Sequence, residues 1–328
     1  MSVLILTQAE VEALLPMPEC IERMAEVLSA LGRGELHQPL RMVTFPPGAA
    51  GAMALMPSYR GGASAALGLK IVNVFPANPA KKLDAHQGAV LLFSGTTGQL
   101  QAILNASAVT AIRTAAVSGV ATRLLARPDA GDLAIVGAGV QARSHLEAMA
   151  CVRPLRRVRV ASRDLDHARR FAAELAPRFD FPIEPLASVE AAVRGADLVV
   201  TATNAKTPVL RSEWIAPGAH INAVGSSVPN ARELDGATVA AAALFVDRRE
   251  STIHEAGDYL FALREGAIGP DHIRAELGEL LLGQASGRRS DSEITLFKSL
   301  GLAVEDLAAA EHVYQNARSR GIGRWVEF

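Results

Sequence analysis

Three cations in the N-terminal part of the chain, Arg41, Lys70 and Arg113, are of the types that capture a small carboxylate. Guanidinium groups hold a carboxylate through paired hydrogen bonds that fix its orientation, and an ammonium adds a donor whose pKa is tunable. Taken singly, each cation is ordinary and reads as a surface ion pair. Lys70 stands out because only five of the 33 basic residues are lysines, namely Lys70, Lys81, Lys82, Lys206 and Lys298. A lysine kept inside the apolar run Leu67-Gly68-Leu69-Lys70-Ile71-Val72 of such a chain asks for a chemical reason, since arginine cannot supply a compact ammonium.

A second group of residues suits a phosphate-bearing ligand. Ile135-Val136-Gly137-Ala138-Gly139-Val140-Gln141-Ala142 has the form G-x-G-x-x-A after an apolar strand pattern and before a helical one. In that setting Gly137 permits the tight turn, Gly139 lets a pyrophosphate approach the backbone, and Ala142 allows close helix packing. Val140 and Gln141 open the helix. The alternative is a glycine-rich turn that binds nothing. About twenty residues on, where an acid would accept from the adenosine ribose, the chain reads Val160-Ala161-Ser162-Arg163. A hydroxyl and a guanidinium suit a 2′-phosphate, so NADP(H) is favoured and NAD(H) stays possible. The competing reading makes Arg163 a solvated surface residue and gives the ribose to Asp164.

Positioning these groups requires two kinds of framework. Thr7 with Glu10 three residues later forms a capping-box pattern, and a second helix is expected over 18–32. Strands are expected over 52–56, 67–72 and 89–93, the last joined through Ser94-Gly95-Thr96-Thr97-Gly98 to a strand over 100–104. A long helix over 107–126 ends at Arg127-Pro128-Asp129-Ala130-Gly131, the first expected domain boundary. Beyond it strands (132–136, 157–161, 181–186, 197–201, 221–224, 244–246) alternate with helices, the pattern of a parallel sheet covered on both faces. The run 294–320 reads as one helix, with Leu300, Val304, Leu307 and Val313 on its apolar stripe. The expected fold is therefore α/β: a Rossmann-type doubly wound parallel sheet over 127–299, plus a smaller α+β substrate-binding and dimerisation domain over 1–126, completed by the C-terminal helix in 300–328.

Composition narrows the partners. With 328 residues, 49% hydrophobic and 20% charged, and a net charge of −1, the chain has enough material for two cores and no basic footprint for nucleic acid. Cys20 and Cys151 lie far apart without metal-ligand spacing, and both read as buried thiols. No metal site is expected. The N-terminus lacks a basic leader and no run is apolar enough for a membrane span, so a soluble cytoplasmic protein with a small-molecule partner is expected.

With these residues in view the sequence resembles the ornithine cyclodeaminase/mu-crystallin family nearly end to end. The matching segments are Met56-Pro57, Gly68-Leu69-Lys70, Gly98, Thr110-Ala111-Ile112-Arg113-Thr114-Ala115-Ala116 and the glycine motif. Thr201-Ala202-Thr203, Glu255-Ala256-Gly257-Asp258 and Asp291-Ser292-Glu293-Ile294-Thr295-Leu296-Phe297-Lys298-Ser299-Leu300-Gly301 follow. The resemblance implies hydride transfer at the α-carbon of an amino or imino acid, with Arg41, Lys70 and Arg113 at the carboxylate-binding and catalytic positions. It also implies a homodimer paired through the N-terminal strands, and it adds Thr203, Val224, Gly225, Ser226 and Lys298 to the cofactor set. One departure matters. Ornithine-cyclising members carry an aspartate in a Gly-Gly-Asp-Cys-Pro-Gly-Lys type loop, where Gly225-Ser226-Ser227-Val228-Pro229-Asn230-Ala231 here has Ser227. An uncharged hydroxyl neither pairs with a distal ammonium nor takes its proton at neutral pH. The expectation is thus reduction of a cyclic imino acid such as pyrroline- or piperideine-2-carboxylate. Ornithine cyclodeaminase and an alanine dehydrogenase-like oxidoreductase are the enzymatic alternatives, and a mu-crystallin-type protein that holds NADPH and a small ligand is the non-enzymatic one. The Lys70/Arg113 pair and Lys298 argue against a nucleotide-binding methyltransferase.

Overall fold

The computed structural model describes residues 2–62, 64–81 and 83–328. Its contacts divide the chain into two compact units, one of the N-terminal residues through Arg113 with Leu302–Phe328, the other of Thr114–Gly301.

The first unit begins with β1 (Ser2–Leu6), α1 (Gln8–Leu14) and α2 (Met17–Gly32). Thr7 and Glu10 form the expected capping box at α1. Short β2 (Leu36–His37) and β3 (Met42–Thr44) lead to three long strands, β4 (Ala52–Arg60), β5 (Ala66–Val74) and β6 (His86–Ser94). Then come β7 (Leu100–Asn105) and α3 (Ala106–Leu125), which is continuous across the division between the units. The division by contacts thus falls inside a helix, whereas the sequence changes character only after that helix has ended.

In the second unit β8 (Asp132–Val136), α4 (Val140–Val152), β9 (Arg157–Ala161), α5 (Leu165–Leu175), β10 (Ile183–Leu186), α6 (Val189–Val193), β11 (Leu198–Thr201) and β12 (His220–Ala223) alternate. They are followed by α7 (Gly236–Ala241), β13 (Ala243–Val246), α8 (Arg249–Glu255), α9 (Gly257–Arg264), β14 (Ile273–Glu276), α10 (Leu277–Leu281) and β15 (Thr295–Lys298). All eight strands are parallel, in the order β10-β9-β8-β11-β12-β15-β13-β14. Runs such as Leu133-Ala134-Ile135-Val136 are buried on both faces, which is why they read as unbroken apolar stretches. The chain returns to the first unit with α11 (Ala303–Arg320) and β16 (Arg324–Glu327).

The first unit's sheet runs β16-β1-β7-β6-β5-β4-β2, with β3 also on β4; β1 and β7 are parallel and the other pairs antiparallel. Alternation along β5 buries Ala66, Gly68, Lys70 and Val72 on one face. There α11 lies across the strands, so close that a Cβ on Gly68 would stand 3.1 Å from Leu307 Cδ1. The opposite face carries apolar rows across the strands: Leu55–Ile71–Ala89, Pro57–Leu69–Leu91–Ile103 and Tyr59–Leu67–Phe93–Leu100. These side chains are half-buried or exposed.

The structure corrects two readings. The expected single helix over 294–320 is a strand, a turn and a helix: Thr295-Leu296-Phe297-Lys298 fills the centre of the parallel sheet between β12 and β13. A short strand buried on both faces has no period to distinguish it from a buried helix, and Gly301, at φ 76°, breaks the run. Val304, Leu307 and Val313 are buried on α11, while Leu300 precedes it. Cys20 is buried as expected, but Cys151 is exposed.

Candidate active site

In the first unit, β5 turns Lys70 toward α11, and α3 brings Arg113 to the first turn of the same helix. The Lys70 ammonium lies 2.7 Å from Asp306 Oδ2. Arg113 donates from Nε to Asp306 Oδ1 at 2.9 Å and from Nη1 to Glu305 Oε2 at 2.8 Å. All four side chains are buried. Asp306 therefore bridges two of the cations that the sequence singled out. Burial pushes the Lys70 ammonium down, Asp306 pulls it up, and Arg113 and Arg41 push it down again, leaving it at about 8. Burial alone would raise the Asp306 carboxyl, but Arg113 and Lys70 prevail and hold it below its ordinary value. Arg41, half-buried just before β3, reaches this cluster electrostatically, and so does His86 at the start of β6, whose pKa is lowered by burial and then by Lys70 and Arg113.

Further hydrogen bonds fasten the start of α11. Val304 N–H donates to Gln38 Oε1 at 3.0 Å, Ser58 Oγ donates to the Ala303 carbonyl at 3.1 Å, and Leu302 N–H donates to Glu305 Oε2 at 3.0 Å. Glu305 and Asp306 escaped the sequence reading because acids in a helix's first turn are ordinary partners of the helix dipole. The one usable signal was that two cations destined for a buried face require two anions.

In the second unit the glycine turn has the form its sequence implies. Gly137 adopts φ 115° and donates its N–H to the Ala161 carbonyl at 2.8 Å; a Cβ there would stand 2.4 Å from the Ala202 carbonyl oxygen. Gly139 is the N-cap of α4, makes no side-chain cap, and has no atom within 4 Å of where a Cβ would stand. Val140 is exposed and Gln141 half-buried in the first turn that follows. The backbone at this helix start is thus approachable by an anion. After β9, Ser162 is half-buried and Arg163 exposed, while Asp164 caps α5, accepting the Asp166 N–H at 2.9 Å. The acid that competed with Arg163 for the ribose thus uses one oxygen to cap the helix.

The ends of β11 and β12 are tied by a residue that sequence reasoning missed. The buried Glu233 carboxylate accepts the Thr203 N–H, the Thr203 and Thr201 hydroxyls and the Gly225 N–H, each at 2.7 Å. Burial raises its pKa and Lys298 opposes the rise. Two of these donors are main-chain N–H groups, so the pocket is built for the ionised form. Asp258 accepts the Glu233 and Leu234 N–H groups at 2.8 and 2.9 Å and pairs with Lys298 at 2.9 Å. Val224 and Ser226 are buried, Ser226 Oγ donating to the Ala231 carbonyl at 2.6 Å, and Gly225 is exposed. Lys298, expected to touch the cofactor, is 1% exposed and its ammonium is spent on Asp258 and the Ala223 carbonyl. The glycine turn, the uncapped helix start and these tied strand ends fit a dinucleotide. Among the described residues no group of three or more His, Cys, Asp or Glu side chains could hold a metal ion, and no helix is long and apolar enough to cross a membrane.

The model of the ornithine cyclodeaminase/mu-crystallin family matches residues 1–321. The chain belongs to that family. Among curated relatives of this family member is the Delta(1)-pyrroline-2-carboxylate reductase of Bacillus cereus, 39% identical over 99% of this chain and 100% of the relative. The structure of the Thermococcus litoralis Delta(1)-pyrroline-2-carboxylate reductase in complex with NADH and L-proline superposes with a TM-score of 0.95 at 38% identity, over 98% of this chain and 99% of that one. An archaeal alanine dehydrogenase dimer with bound NAD follows at 0.93 and 34%, with full coverage of both chains.

Proposed function

We infer that this chain is a nicotinamide-dependent oxidoreductase that reduces a cyclic imino acid of the pyrroline- or piperideine-2-carboxylate type. The observation that supports this reading best is a buried ammonium, Lys70, set beside Arg113 in a chain 39% identical along its length to a pyrroline-2-carboxylate reductase. The bound dinucleotide supplies the hydride. Arg41 and Arg113 receive the substrate carboxylate, and Lys70 delivers its proton to the ring nitrogen as the α-carbon takes the hydride. The π bond of the C=N group gives way to a new C–H and a new N–H bond while the C–N single bond of the ring remains, and the lysine is left neutral until solvent reprotonates it. Gly137, Gly139, Val140, Gln141, Thr203, Val224, Gly225 and Ser226 line the cofactor's path, and Glu233, Asp258 and Lys298 hold that path in place. Ser162 and Arg163 favour NADP(H) over NAD(H), a preference supported by the use of Asp164, the nearby acid, as the cap of its helix.

The protein works as a homodimer through the apolar outer face of β4, β5, β6 and β7, a reading supported by the extent of that face and by the dimer reported for the alanine dehydrogenase. Ser227 separates reduction from ring closure of a diamino acid, which needs an acid or base at the distal amine. The test compares NADPH oxidation with pyrroline-2-carboxylate or piperideine-2-carboxylate, ammonia release from ornithine, and NAD⁺ reduction with alanine. Imine reduction is expected to exceed the other two by at least about two orders of magnitude in kcat/KM, the size of effect that a missing catalytic acid or base produces. Efficient ammonia release from ornithine without imine reduction overturns the assignment.

A further inference from the structure

Resting on the reductase reading, we propose that Asp306 is a positioning residue that keeps Lys70 protonated and aimed for proton delivery, with Glu305 holding Arg113 so that Asp306 can serve both cations. Lys70 comes from a β-strand, Arg113 from α3, and both acids from the first turn of α11. The Asp306 carboxylate divides its two oxygens, Oδ2 to the Lys70 ammonium at 2.7 Å and Oδ1 to Arg113 Nε at 2.9 Å, and the second acid pairs with Arg113 Nη1 at 2.8 Å. None of the four side chains is more than 4% exposed. Two positive and two negative charges therefore balance without solvent.

An amine taken out of water beside an arginine would shed its proton; the groups facing Lys70 show what prevents it. Arg113 from α3, Arg41 from the segment before β3 and His86 from β6 are cationic or neutral, and among the described residues Asp306 is the anion paired with the ammonium. A neutral lysine could not protonate a ring nitrogen. A lysine held by a carboxylate also keeps its lone pair occupied, which disfavours attack on the substrate carbon and leaves acid catalysis as its chemistry. Arginine at position 70 would satisfy Asp306 but could not give up a proton at neutral pH.

The experiment measures the pH dependence of kcat with pyrroline-2-carboxylate and NADPH in the wild type, Asp306→Asn, Asp306→Glu and Lys70→Arg. Activity falls as pH rises through the Lys70 pKa, which lies near 8 in the wild type. In Asp306→Asn that alkaline limb moves down by roughly 1–3 units, the usual effect of an opposite charge in contact. Asp306→Glu keeps the limb close to its wild-type position, and Lys70→Arg loses turnover at every pH while still binding L-proline as a competitive ligand. Asp306→Asn preserves the side-chain shape, and the Arg113 pair with Glu305 remains; if it still fails to fold, the limb in Asp306→Glu decides. An unmoved limb in Asp306→Asn, or a shifted one in Asp306→Glu, overturns the proposal. Because the chain has only five lysines, the ε-carbon resonance of Lys70, assigned by its loss in Lys70→Arg, reports the same titration by NMR without turnover. A wild type that reduces no cyclic imine but whose Lys70 titration drops in Asp306→Asn removes the substrate assignment and leaves the electrostatic coupling standing. A titration that does not drop removes the coupling itself.

Discussion

The proposed preference between the two nicotinamide dinucleotides rests on Arg163, whose surroundings make it testable. It is exposed at the end of β9, and Asp164 beside it accepts the Asp166 N–H with one oxygen. A guanidinium bonded to a 2′-phosphate contributes about 1.5–3 kcal/mol, one to two decades of affinity. Arg163→Ala is expected to bring the dissociation constants of NADPH and NADH to within a few-fold of each other while leaving NADH binding near its original value. Fluorescence titration of both cofactors checks this, and a wild type that prefers NADH tenfold excludes the role. At this scale the sequence showed the cations and hid their partners. Lys70 and Arg113 were visible from residue type and from the scarcity of lysine, but Asp306 meets Arg113 across 193 residues of chain, and Glu233 meets Gly225 through a fold in which neither has a distinctive pattern. Side-chain chemistry is local to the sequence. Charge compensation in a buried site is not.

At the scale of elements, the glycine turn separates what folding needs from what binding needs. Gly137 is fixed by its positive φ and by the Ala202 carbonyl, so any side chain there strains the turn itself. Gly139 has φ −87° and open space where a Cβ would go. Gly139→Ala is therefore expected to lower the melting temperature by only a few degrees, since alanine is worse than glycine at an N-cap by on the order of 1 kcal/mol. Dinucleotide affinity should nevertheless fall by at least about tenfold, because the methyl group occupies the pyrophosphate's approach. Equal loss of stability and of binding would count against a nucleotide passing there. Most elements were legible for the physical reason that their burial is periodic: the capping box at α1, the hairpin between β6 and β7, and the α4 and α5 helices. β15 was not, because a strand covered on both faces has no polar side to give it a period. β1 and β16 were missed for a related reason, since each is short and borrows its pairing from the other end of the chain.

For the whole molecule, the outer face of the first unit's sheet predicts its state in solution. Leu69 and Leu91 pair across β5 and β6 in the middle of an apolar field four strands wide. A face of this kind is unusual on a monomer and ordinary at a homodimer interface. Leu69→Glu should convert a dimer to a monomer in light scattering coupled to size exclusion, with the fold retained by circular dichroism; an unchanged mass would place the interface elsewhere. The path of the chain has a separate consequence, for the order in which the protein comes into being. The first unit is made at both ends of synthesis: β16 pairs with β1, and Asp306 neutralises Lys70 and Arg113 only after the entire second unit has left the ribosome. Domains ordinarily fold in the order they emerge. Here the parallel sheet, contiguous in the chain, can complete itself while the N-terminal strands still wait, their two buried cations without counter-ions. The residues made first are the last to reach their native surroundings, and a nascent chain stopped before α11 holds a finished parallel sheet tethered to a first unit whose Lys70 and Arg113 still lack their acids.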